Sequence, residues 1–262
     1  PKEILQKLMH KKTTCIAWDY IRDEEGVFSV VRTMGEIAGN TAILVAGELL
    51  SSFTQGKGMM LGGVAGVQPT EVVIIGAGTV GEFATRAALG LGASVKVFDN
   101  SVARLRRLQI AVGNRVFTSI IQPKVLAKAI RRADVAIGAL RAPMGRTPCV
   151  VSEEMIEQMK EGSVVVDVSI DQGGCFETSR PTTHSEPTYI IDDIVHYCVA
   201  NMPGAVPLTA TDALNKATLP YIIELANKGI EEALNQNHNL ANGLNIKGGR
   251  IVHKAVMEAL KS

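Results

Sequence analysis

Apolar positions along the chain follow two rhythms that alternate. A short unbroken apolar run stands at Val72 to Ile75, and mostly apolar strand-like runs follow at Val95 to Phe98, Asp134 to Leu140 and Ser163 to Ile170, with a further expected strand at Arg115 to Thr118. Between them, 82–89, 102–111, 124–130 and the segment holding Met155, Ile156 and Met159 carry apolar residues at helical spacing. The β-branched runs read as parallel strands covered on both faces, and the spaced segments as the helices that cover them. Strictly alternating strands and helices predict an α/β fold, a doubly wound parallel sheet with right-handed crossovers. Ser152 precedes Glu153 and Glu154, which suits the start of its helix.

The flanks read differently. Lys2 to Met9 has helical spacing, and Thr13 to Trp18 resembles a short strand. Glu36 to Leu50 is a long, mostly apolar helix pattern that fits a core helix, a hinge spine or a subunit interface. Gly56 to Gly66 precedes a strand rather than following one, so it reads as a connecting loop. Cys175 to His184 is polar and irregular, and Tyr189 to Ile191 and Ile194 to Val199 are apolar runs. Helices are expected at Thr211 to Lys216, at Leu219 to Lys228 with Pro220 in its first turn, at Ile230 to Leu234, and once within Gly248 to Lys261.

The chemistry gathers at the first buried run. Gly76, Gly78 and Gly81 follow it at GxGxxG spacing and open a helix. In such a turn the first glycine bends the chain, the second lets backbone approach a pyrophosphate, and the third seats the helix on the strand. Asp99 closes the second strand, where an acid accepts hydrogen bonds from ribose hydroxyls and repels a 2′-phosphate. A Rossmann-type site for NAD rather than NADP is therefore expected. Ligands in these sheets lie beyond the carboxyl ends of the strands, and Asp171, after the run ending at Ile170, falls there by topology.

Composition narrows the classes. The chain has 262 residues, 46% of them hydrophobic, which is ample for a core. Lysine and arginine number 27 against 26 acids, without a basic cluster interleaved with aromatics, so nucleic acid is not an expected partner. Glu48 interrupts the longest apolar stretch, so no membrane span is expected. Cys15, Cys149, Cys175 and Cys198 show no metal-ligand spacing and read as reduced thiols of a cytoplasmic protein.

Asp171-Gln-Gly-Gly-Cys-Phe-Glu-Thr-Ser-Arg-Pro-Thr-Thr-His184 and Tyr197-Cys-Val-Ala-Asn-Met-Pro-Gly-Ala205 are more specific than the glycine turn. With them the chain closely resembles bacterial alanine dehydrogenase over nearly its whole length, the related transhydrogenase alpha subunit being the alternative. The resemblance implies reversible NAD-dependent oxidative deamination of L-alanine to pyruvate and ammonia. It implies Asp171 as the catalytic carboxylate and Asn201 and Met202 near nicotinamide and substrate. Cofactor contacts are implied at Thr79, Val80, Asp99, Arg104, Leu140, Val168, Ile170, Asp171, Arg180, Val199, Asn201 and Met202, beside Gly76, Gly78 and Gly81. A hexamer is implied too. Gly35 and Ile121 stand where relatives place polar cofactor contacts, and Lys228, after Glu224, where relatives carry a metal-binding histidine, so no metal is expected. Residues 30–207 are the expected NAD-binding domain, with 1–29 and 208–262 parts of a discontinuous substrate domain. By the resemblance, a catalytic histidine and the residues gripping the alanine carboxylate belong upstream of Pro1; His184 and His196 are poor substitutes. The chain as given is expected to bind NADH but scarcely to oxidise alanine.

Overall fold

A computed structural model of the chain describes residues 2–24, 26–54, 56–142 and 146–261. Pro1, Glu25, Gln55, residues 143–145 and Ser262, which fall within the two expected domains, lie outside the described residues. In chain order the elements are α1 (Lys2–His10), β1 (Cys15–Ile16), α2 (Ser29–Leu49), β2 (Glu71–Ile75), α3 (Thr79–Gly90), β3 (Ser94–Phe98), α4 (Val102–Val112), β4 (Phe117–Ser119), α5 (Pro123–Ile130), β5 (Val135–Gly138), α6 (Glu153–Glu157), β6 (Val164–Asp167), β7 (Thr188–Ile191), β8 (Ile194–Tyr197), α7 (Pro207–Lys228), α8 (Ile230–Gln236), α9 (His238–Ala241), β9 (Leu244–Lys247), β10 (Arg250–Ile251) and α10 (Lys254–Lys261). They form two compact units, Pro1–Met34 with Leu208–Ser262, and Gly35–Pro207.

The second unit holds a seven-stranded sheet in the order β4-β3-β2-β5-β6-β8-β7. Counted from β2 as the first parallel strand, this is the 3-2-1-4-5-6 order of doubly wound sheets, with its switch point between β2 and β5. Alternate strand residues face opposite sides. Val72, Ile74, Val95, Val97, Val135 and Ile137 join a core with α2, α3 and α4, while Val73, Ile75, Phe98, Ala136 and Val165 join one with α5 and α6. Gly39 brings α2 tight against α3. A Cβ there would strike the Val80 carbonyl and stand 2.9 Å from the Ala84 nitrogen and the Phe83 Cβ. The first unit carries a small antiparallel sheet, β1-β9-β10, and a core of Ile21, Ala233, Leu234 and Leu240.

Several expectations are corrected. The sheet is not wholly parallel, because β7 pairs antiparallel with β8 as an edge. The run expected as a strand to Ile170 leaves the sheet at Asp167 and becomes a 3₁₀ turn, Val168–Gln172, capped by the Asp167 carboxylate. α2 starts at Ser29, since burial of Val30 overrides the weak helix preference of the Val30-Val31 pair. α7 runs unbroken through Pro220, although a proline removes a backbone donor within it. Ser152 holds the N-cap position of α6, but its hydroxyl makes no cap bond, and Glu177 accepts from the Glu153 N–H instead at 2.9 Å. The tail holds the β9–β10 hairpin as well as a helix.

Candidate functional site

Because β2, β3, β5, β6 and β8 run parallel, the residues that follow each strand gather at one edge of the sheet. At the end of β2, Gly76 adopts φ +119° against the Ala139 carbonyl, a backbone state that side chains rarely adopt. Gly81 lies so close to the Gly76 carbonyl that a Cβ would overlap it. Gly78 is different: nothing stands within 4 Å of where its Cβ would be. It is the N-cap of α3 and offers no side chain to the first-turn amides, so the Thr79 and Val80 N–H groups face a space that an anion can enter.

Asp99 is 3% exposed. Its Oδ2 accepts from the Ala77 N–H at 2.8 Å and its Oδ1 from the Ser101 N–H at 2.7 Å, so the acid first of all ties the glycine turn to the second strand. A carboxylate has about four acceptor sites, which leaves capacity for ribose hydroxyls. Arg104 reaches the same Oδ2 at 3.9 Å, half exposed, and Arg107 donates to the Ala77 carbonyl at 3.1 Å.

Across the switch point, Leu140 follows β5 and its carbonyl accepts from the Ser169 hydroxyl at 2.7 Å. Val168, Ile170 and Asp171 share the 3₁₀ turn after β6. Asp171 is solvent-accessible, yet desolvation by the surrounding chain holds its carboxyl above the usual range, a hydrogen bond from the Asn201 N–H opposing the rise. Asn201 takes a left-handed backbone, φ +58°, and its carbonyl accepts from the Gly204 N–H and from His184 Nε2 at 3.2 Å. Asp171 and Asn201 are thus brought together. Met202 is 2% exposed and Val199 1%, so both side chains pack in the core beneath this edge. Arg180 lies 4.1 Å over the Tyr189 ring, whose hydroxyl accepts from the Arg180 N–H.

His196 is wholly buried, bonded to Thr178 Oγ1 at 2.8 Å and to the Ile194 carbonyl at 2.9 Å, and desolvation lowers its pKa. It is a satisfied core histidine. Glu224 is engaged by Lys228 at 2.8 Å and Asn237 at 2.6 Å. Among the described residues no group of three or more His, Cys, Asp or Glu is arranged to hold a metal ion. Sequence reasoning missed Asp167. Its signal was an acid inside an otherwise apolar run, which obliges a buried carboxylate to find partners.

The open glycine turn at a helix N-terminus, the acid closing the second strand and the edge at the switch point define a dinucleotide-binding domain. The chain belongs to the alanine dehydrogenase and transhydrogenase family: residues 42–254 match "Alanine dehydrogenase/PNT, C-terminal domain". It is 45% identical over 258 residues to the alanine dehydrogenase of Halomonas elongata, covering 98% of this chain and 70% of that one. A solved L-alanine dehydrogenase superposes with a TM-score of 0.94 at 43% identity, covering 99% of this chain and 72% of that one. A transhydrogenase from Sinorhizobium meliloti shares the fold, with a TM-score of 0.79 at 21% identity over 96% of this chain and 72% of that one.

Proposed function

We propose that this chain binds NAD and serves the reversible oxidative deamination of L-alanine to pyruvate and ammonia. The observation that carries the reading is the Asp171–Asn201 pair, an elevated carboxyl at the sheet edge that also carries the open glycine turn. The residues fit the cofactor. The Thr79 and Val80 amides at the mouth of α3 suit a pyrophosphate, and the spare acceptor sites of Asp99 suit the ribose hydroxyls. Leu140, Val168, Ile170, Arg180, Val199, Asn201 and Met202 belong to the elements that frame the rest of the cleft. When bound, NAD supplies the hydride acceptor. Asp171 manages the protons: its carboxylate takes one from the water that adds to the iminium carbon, passes it to the nitrogen, and takes the proton of the added hydroxyl as ammonia leaves and the carbonyl forms. The Asn201 N–H steadies the ionised form, while desolvation favours the protonated one, so the group works in both directions.

The test is fluorescence titration with NADH together with alanine-dependent NADH formation. In a full-length form that carries the substrate-gripping residues the resemblance implies, Asp171→Asn should bind NADH within a few-fold of the parent, yet turn over roughly 100- to 10,000-fold more slowly, the usual weight of an acid–base group. Near-normal turnover in that variant would reduce Asp171 to a turn residue. A homo-oligomer, hexameric by resemblance, and a cytoplasmic location complete the reading. Apolar residues left exposed at and after the end of α2, Leu44, Phe53 and Met60, support the first, and four unpaired cysteines the second. No helix among the described residues is long and apolar enough to cross a membrane. Sedimentation of the purified chain as a monomer at working concentration would remove the oligomer from the proposal.

A further inference from the structure

Asp167 ends β6 with 1% of its surface exposed, and its partners among the described residues are all neutral donors. Its Oδ1 accepts from the Ser169 N–H at 3.0 Å. Its Oδ2 accepts from the Cys175 N–H at 2.9 Å and the Ser179 hydroxyl at 2.7 Å, and the Phe176 N–H also points to it. Two of these groups are on opposite sides of one short segment: Ser169 in the turn that follows β6, and Cys175 beyond it, where the Cys175 carbonyl accepts from the Val150 and Val151 N–H groups. Asp171 lies between them. The surroundings keep space for this carboxylate. A Cβ on Gly138, at the end of β5, would stand 2.6 Å from Asp167 Oδ1, and one on Gly174 2.7 Å from Oδ2.

We propose that Asp167 is a positioning residue, a buried carboxylate that staples both ends of the 168–174 segment and so fixes Asp171 at the sheet edge. That Asp171 does chemistry rests on the proposed function above; that Asp167 holds it does not. The choice of residue follows from the donors. Three N–H groups and a hydroxyl converge on the two oxygens, an arrangement that a carboxylate can accept in full and that an amide must meet with its own N–H pointing at another. Burial pushes the Asp167 carboxyl up, and the bonds from Ser179, Cys175, Ser169 and Phe176 oppose that rise. The donors that converge on its oxygens favour the ionised form, against the burial that opposes it.

The experiment follows the Asp171 carboxyl by carbon-13 NMR across a pH titration of the whole chain, the resonance being assigned by its loss in Asp171→Asn. In Asp167→Asn that still unfolds cooperatively, the Asp171 titration should fall toward the ordinary carboxylate value by about half a unit or more, as the segment loosens and water reaches it. Gly138→Ala crowds the Asp167 carboxylate without changing its charge, together with Cys175 Sγ at 2.7 Å and the Phe176 ring at 2.8 Å on the same clamp, and should shift Asp171 in the same direction. Ser179→Ala, which removes one donor of four, should give a smaller shift. A folded Asp167→Asn in which Asp171 titrates as in the parent overturns the inference, and if that variant does not fold, Gly138→Ala decides by the same reading. Alanine turnover of Asp171→Asn, measured in the full-length form, separates the two claims, because normal turnover there sinks the proposed function while leaving the titration result in place.

Discussion

Asp99 shows how one side chain serves the fold and the ligand together. Its oxygens hold the Ala77 and Ser101 amides, so Asp99→Ala removes the acceptor for the ribose and also leaves two backbone donors without their partner. Each loss costs about 1–3 kcal/mol. The expected outcome is NADH affinity reduced roughly 10- to 100-fold, a narrower preference over NADPH, and a lower melting temperature, measured by fluorescence titration and thermal unfolding. Equal affinity of the parent for NADH and NADPH would refute the role given to the acid. At this scale the sequence is legible where chemistry depends on residue type at fixed spacing: Gly76, Gly78, Gly81 and Asp99 stand in one short span. Asp167 was harder to read, since its partners at Ser169, Cys175 and Ser179 meet it only after the chain has turned back on itself. The structural task of Asp99 was equally hidden, because spacing identifies a ligand position and says nothing of which amides share it.

Elements follow from periodicity until burial or tertiary neighbours overrule it. β2, β3 and β5 stand close to where the apolar runs are, because a strand covered on both faces needs an unbroken run. The run through Ile170 misleads for the same reason: Val168 and Ile170 are apolar to serve the turn, and only the capping carboxylate reveals that the strand has ended. Pro220 is a strong punctuator in isolated sequence and divides α7 into two expected helices. The antiparallel β7 could not be read from composition, since hairpin and crossover use similar apolar residues. Helix propensity gives an equally clear contrast at Gly39. In an isolated helix Gly→Ala stabilises by about 1 kcal/mol. Here the added carbon meets α3 backbone, so Gly39→Ala should destabilise by roughly 1–3 kcal/mol in urea unfolding. A gain in stability would show that α2 can move away without loss.

Across the whole molecule, ionisable groups divide between the two edges of the sheet. At the amino edge, burial pushes Asp134 and Glu71 up, but Lys160 and Lys57 on the first, and Lys96 and Arg132 on the second, bring both below their ordinary values. Each contributes stability above its unfolded-state pKa and loses it as pH falls through the folded one. At the carboxyl edge Asp167 and Asp171 lie above their ordinary values, so protonating them on mild acidification favours the folded state. The melting temperature should therefore fall gently from about pH 6.5, where the unfolded chain takes up a proton that buried His196 resists, with Asp167 and Asp171 offsetting part of that loss, and should drop steeply below about pH 4. Glu71→Gln with Asp134→Asn should flatten the lower limb; an unchanged limb in that double variant would assign acid lability elsewhere. The thiols add a means of timing this edge. Cys149 is exposed, whereas Cys175 and Cys198 are buried around the Asp167 segment, and burial keeps both buried thiols protonated. A thiol reagent should modify exposed Cys149 and partly exposed Cys15 before Cys175 and Cys198, which react only as fast as the segment opens, and this makes the buried pair a built-in stopwatch for the motion that exposes the carboxyl edge.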